Sequence, residues 1–175
     1  MYGFEPDGSL PAGYVRATRL HRVVPIAESR TITEGDLTLT SLDLFEDGSI
    51  LNYFMVGNEE VIRRQAEHHA EIQRLVGLND RDALRRYAES TLSVRMGMNV
   101  HMRLEDDLAT GYQGLARGGG GSENRWESSY GFTPAVPAEA TRLRILVFEG
   151  EYRRETHEAT AREPERLLHT FEVSL

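Results

Sequence analysis

The chain contains no cysteine and no lysine; all 20 of its basic residues are arginine. The first absence removes disulfide frameworks, zinc ribbons, iron-sulfur sites and thiol nucleophiles together. The second closes every reaction that needs a lysine amine, and the arginine bias reads as a coding preference before it reads as chemistry. Long apolar runs are missing too: none approaches the roughly 18 residues of a membrane span, so no membrane span is expected. The opening MYGFEPDGSLPAGYVR has neither the basic nor the apolar region of a secretory signal. A cytoplasmic location is the expectation, with an exported domain whose targeting segment has been removed as the alternative. An excess of positive charge is lacking as well. A net charge of -8 and a pI near 5.3 speak against a nucleic-acid partner.

Catalytic signatures are equally scarce. There is no G-x-S-x-G elbow, no Gly-Lys-Ser/Thr phosphate loop and no H-E-x-x-H pair. No catalytic residue, no cofactor and no metal site is therefore assigned. His68 and Glu71 share a helix face at the i,i+3 spacing, but two ligands do not make a metal site. The acids Glu105, Asp106 and Asp107 suit a solvated turn, with calcium as the alternative.

What is present is strand patterning. From Thr91 to Leu104 the apolar residues Leu92, Val94, Met96, Met98, Val100, Met102 and Leu104 occupy every even position. Strand side chains alternate between faces, so this is one buried and one wet face, with Gly97 as the expected bend. A strand containing Pro25 opens the sheet over 20–26 as an edge or a bulge. In 36–45 the leucines move from odd (37, 39) to even (42, 44) positions; a bulge near Ser41 keeps all four on one face. Glu46-Asp47-Gly48-Ser49 reads as a hairpin turn in which Gly48 supplies the positive φ. Ile50–Val56 is apolar on both faces, which predicts a central strand covered twice.

The covering element is expected from 58 to 90. Asn58 is a good N-cap, Val61, Ile62, Ala66, Ile72, Leu75 and Val76 recur at helical spacing, and Gly77 stands where a C′ glycine ends the helix. Asn79 or Asp80 then caps a shorter helix through Glu89 that buries Ala83, Leu84, Tyr87 and Ala88. Further on, Gly118–Ser122 reads as a flexible hairpin loop, with an engineered GGGGS spacer as an alternative. Trp126, Tyr130 and Phe132 form an aromatic strand face, and Leu143, Ile145 and Val147 the next strand. A charged stretch over 149–166 reads as a loop or frayed helix, before Leu167, Phe171, Val173 and Leu175 close the chain.

Asp107, Gly111 with Tyr112, the glycine run, Phe132 with Pro134 and Pro137, and Leu143 with Ile145 stand here for a phrase of the type D-x-x-G-x-x-Y, a Gly-rich loop, an aromatic strand, F-x-P-x-x-P and a final L-x-I. In this the chain resembles the closing half of bacterial immunoglobulin-like domains found in actinobacterial-type proteins and beside anti-sigma factors. The segments VVPI and DLTLTSLDLFEDGSILNYFMV resemble the opening half. The resemblance implies an antiparallel immunoglobulin-like β-sandwich of 7–9 strands and no particular activity. The helical pair at 58–90 and the missing membrane anchor depart from that pattern.

The expected organisation is a flexible N-terminal arm, 1–18, followed by one β-sandwich domain, 19–175, carrying the helical insertion. Tyr2, Phe4, Leu10 and Tyr14 stand on the otherwise polar, Gly- and Pro-interrupted arm as its candidate partner-binding residues. The function expected is that of a non-enzymatic interaction or structural module, contacting a protein partner or a second copy through the arm. Two alternatives remain: a carbohydrate-binding or calcium-assisted recognition module using Trp126 or Tyr130 beside the 105–107 acids, and an enzyme with a site among His68, His69, Glu71 and His101.

Overall fold

A computed structural model describes residues 10–90, 100–122, 124–149 and 166–175. Among the described residues, eight strands form two antiparallel sheets and two helices lie between the third and fourth strands. The strands are β1 (Leu20–Ile32), β2 (Gly35–Phe45), β3 (Gly48–Gly57), β4 (Val100–Asp106), β5 (Gln113–Gly121), β6 (Arg125–Thr133), β7 (Arg142–Glu149) and β8 (Arg166–Ser174), and the helices α1 (Glu59–Gly77) and α2 (Arg81–Ser90). One sheet has the order β1-β2-β3-β6-β5 and the other β4-β7-β8.

The alternation read from sequence sets the core. Val100, Met102 and Leu104 of β4, Leu143, Ile145 and Val147 of β7, and Phe171 and Val173 of β8 are buried against Leu37, Leu39, Leu42, Leu51, Met55 and Phe132 of the five-stranded sheet. The two inner faces form one apolar cluster, a sandwich-like arrangement. The nine residues of the 91–104 stretch before Val100 lie outside the described residues, as does most of the charged 149–166 stretch. The edge between the sheets is closed by Arg30, whose Nε donates to His169 Nε2 at 3.0 Å while its guanidinium stands over the Phe171 ring at 5.7 Å.

The β2 bulge falls where the leucine slip placed it: the register shifts between Leu39 and Ser41, and Leu37, Leu39 and Leu42 have no exposed surface. Strand β1 does bulge after Pro25, with Ala27 at φ 52, but continues to Ile32. Three local expectations need correction. Gly48 is not in the left-handed region. It pairs directly with Phe45, and a glycine is needed there because a Cβ would stand 2.5 Å from the Phe132 carbonyl oxygen. Gly77 is the last helical residue, and the left-handed position after α1 is taken by Asn79, φ 54, whose short polar side chain tolerates it. The glycine run is no loop: Gly118–Gly121 pair with Ser129–Trp126 as the outer half of β5, the edge of the five-stranded sheet.

The helices follow their caps. Asn58 Oδ1 accepts from the Val61 N–H at 3.0 Å and Asp80 Oδ1 from that of Ala83 at 2.9 Å. They do not cover the outer side of β3 as expected. Only Val61, His68 and Leu75 of α1 are buried, a single stripe at seven-residue spacing, and Val76 remains half exposed.

Candidate functional site

Among the described residues, with the helices elsewhere, the outer face of the five-stranded sheet is open beyond residues 10–18, and the register gives what stands on it. One cross-strand row reads Ser29, Thr38, Phe54, Glu127; the next reads Pro25, Ser41, Asn52, Ser129, Gly118; a third reads Val23, Asp43, Ile50, Gly131, Leu115. Most of these side chains are short, so the face is low and flat. Where β3, β6 and β5 meet, it dips into a cleft of about 420 Å³, with Thr40, Asn52, Phe54, Glu127 and Ser129 on its lining.

The polar groups of the cleft are ordered by one another. Asn52 Nδ2 donates to Asp43 Oδ2 at 2.8 Å and to Ser41 Oγ at 3.1 Å, and the Thr40 hydroxyl donates to the Asn52 carbonyl at 2.9 Å. Ser128 Oγ donates to the Gly118 carbonyl at 3.0 Å. Phe54 and Tyr53 are the aromatic residues of the lining, and Tyr53 is buried in the core. The Arg125 guanidinium lies over the Phe54 ring at 4.0 Å and is itself ion-paired with Glu127 at 2.9 Å. The cleft therefore presents hydroxyls, an amide, an apolar ring and a balanced charge pair.

The other end of the same face is covered by residues 10–18, the described part of the segment read as an arm. Gly13 N–H donates to Thr133 Oγ1 at 3.1 Å, Arg117 donates to the Val15 carbonyl at 2.6 Å, and Arg16 N–H donates to Asp47 Oδ2 at 2.6 Å. Val15 is completely buried on the sheet. Of the four residues assigned to partner binding, Tyr14 is half buried with the Arg117 guanidinium 5.8 Å from its ring, and Leu10 is half buried. Tyr2 and Phe4 lie outside the described residues. Val15 and Arg16, which make the strap's tightest contacts, escape a reading that weighs aromatics first; their only sequence signal is proximity to Gly13.

The remaining candidates are not brought together. His68 is buried between the helices, stacked on Tyr87 at 5.3 Å with Nδ1 3.3 Å from its hydroxyl. Glu71 is held by Arg74 through two contacts of 2.7 and 2.6 Å, and that hydrogen-bonded arginine lowers the glutamate's pKa. Asp106 and Asp107 belong to the other sheet and build a turn. Asp106 accepts from the N–H groups of Leu108 (3.0 Å) and Thr110 (2.9 Å) and from the Tyr112 hydroxyl (2.8 Å). Burial opposes ionisation of Asp106, but these donors outweigh it and leave its pKa lowered. Burial first, then the Asp106 carboxylate, push the Tyr112 phenol upward. The Thr141 hydroxyl and N–H hold Asp107 low in the same way. Among the described residues, no three His, Asp or Glu side chains are grouped to hold a metal ion. Tyr130 and Phe132 belong to the core and Trp126 packs partly against it.

No family model matches the chain, and no curated protein matches it. A solved structure, the crystal structure of the conserved domain protein from Bacillus anthracis, is similar at 16% identity and a TM-score of 0.43, covering 85% of this chain and 48% of that one. The chain thus spans about half the length of that protein.

Proposed function

We propose that this chain is an immunoglobulin-like, non-enzymatic interaction module of the cytoplasm that binds protein through the outer face of its five-stranded sheet. One observation carries the reading: the outer side of β3 sets Phe54 and Val56 beside Asn52, Phe54 is only partly buried, and Val56 is 38% exposed. A flat face with one aromatic ring, an arginine stacked on it and a surround of small hydroxyl and amide groups matches the composition of protein-binding surfaces, where aromatic and arginine anchors supply most of the affinity. The strap over residues 10–18 borders this face and extends it.

A photo-activatable cross-linker placed at Ser129, on the open face, and separately at Arg144, outside the other sheet, tests this in living cells. The Ser129 position gives a discrete adduct, the Arg144 position does not, and Phe54→Ala weakens the adduct by roughly tenfold or more. Equal labelling at both positions, or no adduct at Ser129, overturns the reading.

A further inference from the structure

The strap is fitted to its seat. The notch that takes Val15 is floored by glycine: a Cβ on Gly48 would lie 2.7 Å from Val15 Cγ2, and one on Gly131 would lie 3.3 Å from it. Gly13 in turn rests on backbone, its own missing Cβ being 2.7 Å from the Gly114 carbonyl carbon and the Leu115 nitrogen. Hydrogen bonds to Thr133, from Arg117 and to Asp47 fix the strap along its length. Shape and polar matching at this density select this segment over an arbitrary extended peptide. Immediately afterwards Ala17 sits at φ 56, a left-handed conformation that its Cβ disfavours. Only Thr18 and Arg19 separate it from β1. A well-matched terminal segment on a short, strained hinge is the arrangement that favours exchange between copies, because straightening the hinge releases strain while the second copy's notch restores every contact.

We propose that the strap exchanges between two copies of this chain, residues 10–16 of each seating in the Gly48–Gly131 notch of the other, with Ala17 as the hinge. The proposal rests on the reading of the chain as an interaction module and names a second copy as its partner. Charge near the hinge does not oppose the approach. Glu46 faces Arg19 at 3.3 Å and His21 at 3.9 Å, and Asp47 accepts from Arg16 N–H and the Thr18 hydroxyl, so two such ends meet with their carboxylates already engaged.

The absence of cysteine makes the test direct. Purified Arg16→Cys and Asp47→Cys variants, mixed at equal concentration and oxidised, form the mixed disulfide in clear excess over the two self-disulfides, because each strap reaches Asp47 of the other copy. In light scattering the wild-type chain dimerises as its concentration rises. Ala17→Gly raises the dimer dissociation constant by roughly one to two orders of magnitude, since two hinges lose their strain advantage. Gly131→Val fills the notch and abolishes the dimer. A wild-type chain that stays monomeric up to roughly 1 mM, a mixed disulfide no commoner than the self-disulfides, or a dimer indifferent to Ala17→Gly overturns the exchange. These readouts use purified protein alone, so the exchange fails independently of the cross-linking at Ser129.

Discussion

Asp106 shows how much of this fold is decided by single side chains after a strand ends. Its carboxylate gathers two backbone N–H groups and a phenol, closing the connection from one sheet to the other. Because its folded pKa lies below the ordinary value of 3.8, its contribution is fully present above that value and is lost as pH falls through the depressed one. Asp106→Asn therefore destabilises the chain at pH 7, by on the order of 1 kcal/mol given its partial contact with solvent. The gap between variant and wild type narrows below pH 3.8, as denaturant titrations at pH 7 and pH 3 will register. The sequence showed an acidic turn here and left calcium open. Its actual partners for Asp107 lie at Thr141, in another sheet strand's approach, where no local spacing points. His68 is the same case: helical spacing puts it on a face, but only the second helix decides that the face holds Tyr87.

At the scale of elements, period-2 alternation was a reliable guide and its interruptions were more informative still. The leucine slip in β2 predicted the bulge between Leu39 and Ser41, and a deletion checks the argument. Removing Thr40 leaves leucines at every second position of an unbulged strand, so the deletion variant folds and loses only about 1–2 kcal/mol. Removing Thr38 puts Leu37 and Leu39 on opposite faces of the sheet and yields no soluble protein. Thermal melts and soluble yield separate the two. The helices and the glycine run misled for a physical reason. Composition specifies that 58–90 is helical and that glycine is permissive, but covering a sheet depends on where the insertion leaves and re-enters. A glycine strand, in turn, depends on a neighbour close enough to exclude a side chain: a Cβ on Gly119 would lie 2.2 Å from the Glu127 carbonyl oxygen. The open face, and with it the candidate site, followed from the first of these and was not legible.

For the whole molecule, the legible part was the class: mainly β, antiparallel, one apolar cluster, with a helical pair inserted. Strand order was not, because alternation is a local property whereas pairing joins segments far apart in the chain, as β6 does by entering between β3 and β5. Energetics follow the same geography. Leu51→Ala, on the middle strand with no exposed surface, costs about 2–5 kcal/mol. Leu78→Ser, beyond α1 and 63% exposed, stays within about 0.5 kcal/mol in the same urea titration. The strand order has a consequence for cooperativity. A backbone break between β5 and β6 leaves β3 and β5 in the first piece with a vacant lane between them. The second piece holds β6, together with β7 and β8 but without β4. Neither piece owns a complete sheet, so the two are stable only as a reassembled pair. The exchange of β4 and β6 between the two halves of the chain thus couples the unfolding of one sheet to that of the other.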